Sequence, residues 1–144
     1  MKHWGGILNV VGLGLLAGGM LFFGAVMAPL VFARLPLPVA GGFIRQAFPL
    51  YFVYSLATGT LALAGALLQG QRLRAIALAL VAASNVWGLI WLIPVMDRLR
   101  AAHDSAGFSF WHLVSTSVNG AAFFVTLLLL ARAGLETSRP PRAG

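Results

Sequence analysis

The chain has no cysteine, and only three of its 144 residues are acidic. Without cysteine there is no disulfide framework, no thiolate metal site and no thiol nucleophile. The three acids, Asp97, Asp104 and Glu136, leave no pair of carboxylates inside a hydrophobic segment. No nucleophile stands with a base and an orienting acid, and no HExxH-type metal motif is present, so no complete catalytic set is legible. Charge of either sign is scarce, at 9% of residues, where soluble domains carry about 25%. Hydrophobic residues make up 60%, and the mean hydropathy is +0.90. So few charges cannot cover a water-facing surface, and lipid is the expected solvent. Nothing alternates with period two over enough segments for a transmembrane barrel.

What is present is length without charge. Residues 3–33, 46–71, 75–96 and 105–131 contain no Asp, Glu, Lys or Arg, and each is long enough for the roughly 20 residues that a spanning helix needs. The expected fold class is an all-α, integral membrane, antiparallel four-helix bundle, with helices at about residues 5–32, 43–68, 73–96 and 110–132. Residues 1–133 form one domain, and the polar, proline-rich tail 134–144 is expected to be disordered. Val26-Met27-Ala28 imitates a signal cleavage site, but the apolar run far exceeds the roughly 7–15 residues of a signal peptide, so the first segment reads as a retained helix. "QGQRLR" makes a tight turn between the second and third segments. Pro36 and Pro38 are expected to hold the first connection, "ARLPLPVAGG", out of helix. "DRLRAAHDSAG" joins the third segment to the fourth and has room for a helical turn or two before Gly107.

The net charge of +7 comes from ten basic residues placed singly or in pairs at segment ends. That is the distribution of topology signals and headgroup anchors in a membrane protein, and it excludes a nucleic-acid role. Lys2, Arg72, Arg74, Arg132, Arg139 and Arg142 share one side, and Arg34, Arg45, Arg98 and Arg100 the other. The positive-inside rule therefore places both termini in the cytoplasm, for a multi-pass protein of a bacterial inner membrane. Small residues four apart, Gly14 with Gly18 and Ala79 with Ala83, are expected to let helices approach inside the bundle; the alternative is a homodimer through the Gly14–Gly18 face.

Polar residues converge on the other side. In "FSFWHLVSTSVNG", residues 108–120, a helical turn of about 100° per residue puts Ser115 at about −60°, Thr116 at about +40° and Asn119 at about −20° from His112. Such a stripe cannot face lipid cheaply and should turn into the bundle. Pro29, Pro49 and Pro94 lie at the same depth as expected helix kinks, with Arg45, Gln46 and Tyr51 entering the second segment and Asp97 and Arg98 leaving the third. Together they suggest a polar, ligand-binding vestibule. The plainer alternative is that Arg45, Asp97, Arg98 and His112 reach headgroups and water from helix ends, while Asn9, Asn85 and Asn119 join helices by hydrogen bonds contributing about 0.6 kcal/mol each. Trp4, Trp87, Trp91 and Trp111 read as packing or interfacial residues, with a quinone or porphyrin slot as the alternative.

"FFGAVMAPLVFARL", "GGFIRQAFPLYF", "LIPVMDRLR" and the His112, Ser115, Asn119 spacing, in that order, resemble a family of small bacterial membrane proteins grouped as domain of unknown function 4149 and related to eukaryotic transmembrane protein 205. Leu113 and Val114 depart from the family's usual residues. The resemblance implies a four-helix membrane protein and a site shared by His112, Ser115, Asn119, Arg45, Pro49 and Arg98; it implies no reaction.

Three functions follow as expectations. The first is a non-enzymatic small-ligand-binding or accessory protein, acting alone or docked on a larger membrane complex. The second is a redox protein using haem or a metal ion at His112, for which His103 is the one plausible second ligand. The third is an oligomeric transporter or channel lined by Asn85. No cofactor is called for by a motif.

Overall fold

The computed structural model describes residues 2–137. Residues 138–144, most of the tail expected to be disordered, lie outside the described residues. Lipid offers no hydrogen bonds, so a spanning segment must satisfy its backbone internally, and long uncharged runs become long helices. Four such helices account for nearly all the described chain. Helix 1 is built of Lys2–Leu21, Phe22–Met27 and Ala28–Arg34, and helix 2 of Leu37–Leu68. Helix 3 comprises Arg72–Trp87, Gly88–Leu92 and Ile93–Ala101, and helix 4 is Ser105–Thr137. All four are long and apolar enough to cross a membrane, and their outward surfaces carry large side chains such as Leu37, Leu50, Leu80 and Phe124. The chain is an all-α, multi-pass membrane protein.

The helices are longer than expected because the connections are shorter. Most of the expected first loop is helical. Only Leu35 and Pro36 separate helices 1 and 2, and Pro38 sits in the first turn of helix 2, where a missing N–H costs nothing. Gln69, Gly70 and Gln71 make the second turn as a tight one, with Gly70 at φ +72°. Helix 3 continues to Ala101, so the third connection is only residues 102–104, with His103 at φ +53°. Asp104 then caps helix 4, its Oδ1 accepting from the Gly107 N–H at 2.9 Å. Helix 4 overruns the expected domain boundary to reach Thr137.

Two of the three prolines leave a specific mark. Phe22–Met27 and Gly88–Leu92 are π-helical, and in each the closing bond reaches five residues back, Ala28 N–H to Phe23 O and Ile93 N–H to Gly88 O. Pro29 and Pro94 follow directly. A proline cannot donate to the carbonyl four residues earlier and its ring crowds that carbonyl, so a widened turn before it relieves both problems. Pro49 lies inside helix 2 without any such turn.

The start of helix 1, the end of helix 4 and the helix 2–3 turn lie at one end of the bundle, the terminal end; the other two turns mark the opposite end, the cleft end. Helix 1 packs chiefly on helix 2, then on helix 4. Its buried stripe is Asn9, Gly12, Leu13, Leu16, Ala17 and Met20. A Cβ on Gly12 would overlap the Ala62 backbone, and one on Gly65 would overlap the backbones of Asn9 and Gly5. The expectation for the other small residues is corrected here. Gly14 and Gly18 face open space, and Ala79 and Ala83 are exposed. On helix 3 the buried stripe is instead Ala75, Leu78, Val81, Asn85, Gly88 and Leu92.

Polar groups fasten the terminal end. Fully buried Asn9 donates to Ala62 O at 2.8 Å and accepts from Arg74 Nη1 at 3.0 Å. Arg74, 8% exposed, also pairs with Glu136 at 2.9 Å, and Gln71 Nε2 donates to the same carboxylate at 3.3 Å. Helices 1, 2, 3 and 4 thus meet in one hydrogen-bonded group.

Candidate functional site

The cleft end is organised differently. Beyond Met20, helix 1 keeps its packing on helix 2 but makes no extended contact with helix 4. Aromatic rings fill much of the interior here. Phe23 stacks on Tyr51 at 4.4 Å, Phe48 on Phe52 at 6.0 Å, and the Phe52 ring lies where a Cβ on Gly88 would be. Rings of this size hold backbones apart, and the space they leave forms two adjoining cavities.

The first, of about 280 Å³, lies among helices 1–4 and is walled by Ile44, Phe48, Phe52, Leu92, Ile93 and Met96. Its polar groups are Arg45, Asp97, Arg100, His112 and Ser115. The second, of about 530 Å³, lies between helix 1 and helix 4, with Tyr51, His112, Ser115, Thr116 and Asn119 on its wall. Ala28, Phe32, Phe48, His112 and Ser115 line both, so the two are one cleft with a shared waist.

Helix 4 presents its polar stripe to this cleft because the four residues fall on one helical face. His112 is exposed at the waist, and its ring lies parallel to that of Phe108 one turn earlier, at 6.2 Å and 6°. Thr116 Oγ1 donates to His112 O at 2.9 Å, and Asn119 Nδ2 donates to Ser115 O at 3.0 Å. Tyr51 OH donates to Asn119 Oδ1 at 3.2 Å, tying helix 2 to helix 4 beneath the opening. At the rim, Arg45 of helix 2 pairs with Asp97 of helix 3 through both carboxylate oxygens, Nε to Oδ1 at 2.7 Å and Nη2 to Oδ2 at 2.8 Å. Arg100 places its guanidinium 5.1 Å from the Phe108 ring centre.

Of the residues singled out in the sequence, His112, Ser115, Thr116, Asn119, Arg45, Tyr51, Asp97 and Pro29 line this cleft. Gln46 and Arg98 are exposed and line neither cavity. Asn85 is buried within the bundle and donates to Val81 O at 2.9 Å, away from the cleft lining. Among the described residues, no three His, Asp or Glu side chains are grouped to hold a metal ion. Two further residues belong to the site, Arg100 and Phe108. The available signal was their spacing, since Phe108 precedes His112 by one turn and Arg100 follows Asp97 by three residues. Arg74 and Glu136 were read as a topology charge and a tail residue. The clue there was that Glu136 is the chain's one glutamate, with buried Asn9 at the same end.

No curated protein and no solved structure matches the chain. A family model matches residues 11–105, a span that includes the helix 1, helix 2 and helix 3 segments of the cleft and stops before His112. By that match, the chain belongs to the family described as Domain of unknown function (DUF4149).

Proposed function

We propose that this protein is a small-ligand-binding protein of the bacterial inner membrane, with both termini in the cytoplasm and its binding site in the cleft at the opposite face. The observation that carries the reading is the continuity of the two cavities around His112 and Ser115, with apolar walls and a few convergent polar groups. That combination is the usual form of a ligand pocket. A bundle needing only to be stable would fill this space with side chains, as the terminal end does, because interiors are close-packed. Hydrogen bonds from Tyr51, Thr116 and Asn119 hold the stripe in place without ligand, so the site is preorganised.

The test is native mass spectrometry of the protein purified in mild detergent, with an absorption spectrum and metal analysis of the same sample. A small organic molecule bound one to one is expected, and Ser115→Trp, which fills the waist, should remove it while the melting temperature stays near that of the parent. A Soret band or a stoichiometric metal lost in His112→Ala would replace this reading with a cofactor-bearing one. Absence of any occupant, together with no Ser115→Trp-sensitive binding of added amphiphiles, would overturn it.

A further inference from the structure

Resting on the cleft as a binding site, we propose that its ligand is a single-chain amphiphile with an anionic headgroup, a carboxylate or a phosphomonoester, that enters sideways from the membrane between helix 1 and helix 4. Three observations lead there.

The first is the charge at the rim. Both oxygens of Asp97 are engaged by Arg45, and Asp104 is engaged in capping helix 4. Arg100 has no carboxylate partner among the described residues; the face of Phe108 is its neighbour. The His112 imidazole, which also lines the cavity, lies parallel to the same Phe108 ring at 6.2 Å. An unpaired guanidinium and an imidazole that share this ring as a neighbour, beside an apolar chamber, are donors awaiting an acceptor. A guanidinium matches carboxylate and phosphate oxygens best.

The second is the chamber. At about 280 Å³ it sits at the small end of the roughly 300–1,000 Å³ typical of ligand pockets. It takes one chain, and the second chain of a bilayer phospholipid would have to lie in the more open cavity beside it. Its deep wall of Phe48, Phe52, Leu92 and Ile93 offers no hydrogen bond from a side chain.

The third is access. The larger cavity opens between helices 1 and 4 where helix 1, from its π-helical turn onward, no longer packs extensively against helix 4. A chain can slide through that gap without leaving an apolar medium while its headgroup stays at the polar level of Arg100 and His112.

The experiment measures binding of four ligands with the same oleoyl chain to the detergent-purified protein: oleate, oleoyl-lysophosphatidate, oleoyl-lysophosphatidylcholine and monoolein. Oleate or the lysophosphatidate should bind about tenfold or more tightly than monoolein and the zwitterionic lipid, as expected for one charge-assisted contact. Arg100→Gln should remove that preference, bringing the anionic lipids to the affinity of monoolein for the same variant. Arg34→Gln, a change of charge at the same end that lines neither cavity, should alter nothing. Tighter oleate identifies a carboxylate site and tighter lysophosphatidate a phosphomonoester site. Inorganic phosphate should fail to displace either one, and displacement by phosphate at equal concentration would overturn the chain requirement. If all four lipids bind equally and Ser115→Trp abolishes binding, the cleft stands and the anionic headgroup falls. If none binds in a Ser115→Trp-sensitive way, the cleft itself falls.

Discussion

The two ends of this bundle solve the same packing problem with different residues. At the terminal end Gly5, Gly12, Ala62 and Gly65 bring the backbones of helices 1 and 2 into contact, and Arg74 and Glu136 are tied with Asn9 into one group. At the cleft end Phe23, Phe48, Tyr51 and Phe52 keep helices apart, and the ion pair sits open to its surroundings. Each end has an arginine joined to an acid. Arg74 is 8% exposed with a second bond to buried Asn9, whereas Arg45 is 53% exposed and bonded to Asp97 alone. The lesson is that small residues convert helix contact into rigidity, while aromatic residues convert it into space. A ligand site needs the second kind of end held in place by the first.

Breaking the tight end should have the largest effect. Gly65→Leu forces a side chain into the backbones of Asn9 and Gly5, and its cost is expected at or above the upper end of the about 1–3 kcal/mol typical of overpacking. Thermal unfolding in detergent should show a large fall in melting temperature, whereas Gly14→Leu, made in open space, serves as the control with little change. Arg74→Met comes next. It leaves the Oδ1 of fully buried Asn9 without a partner, a loss of about 1–3 kcal/mol, and the same melt would detect it. The smallest effect belongs to Arg45→Gln, whose exposed ion pair is worth about 0–1 kcal/mol and weakens with salt. An Arg45→Gln melt as low as that of Arg74→Met would erase the contrast between the ends.

Part of the site could be read before the structure because its signals are local. The stripe of His112, Ser115, Thr116 and Asn119 depends only on helical period, and it does face the cleft. Pro29 and Pro94 disturb their own helices, here as π-helical turns. Arg100 was read as a topology charge because its relation to His112 crosses a turn whose tightness was underestimated, and Phe108, on the same helix as His112, reads as one more apolar residue. Gly14 and Gly18 misled because spacing alone does not say which way a helix is rotated. Gly12, two residues earlier and on the opposite side, makes the contact instead.

The sequence by itself determined the solvent, the number of spans and the depth at which polar groups gather, since each follows from charge-free length and helical period. Tertiary structure alone decided which face of each helix turns inward, which arginine is buried, and that helix 1 leaves helix 4 to open a cleft. The physical reason is the medium. In water, an apolar stripe marks the inward face of a helix; in lipid, the outward face is as apolar as the core. Rotation is then set by where a missing Cβ permits contact and where a buried Asn9 or Arg74 finds its partner.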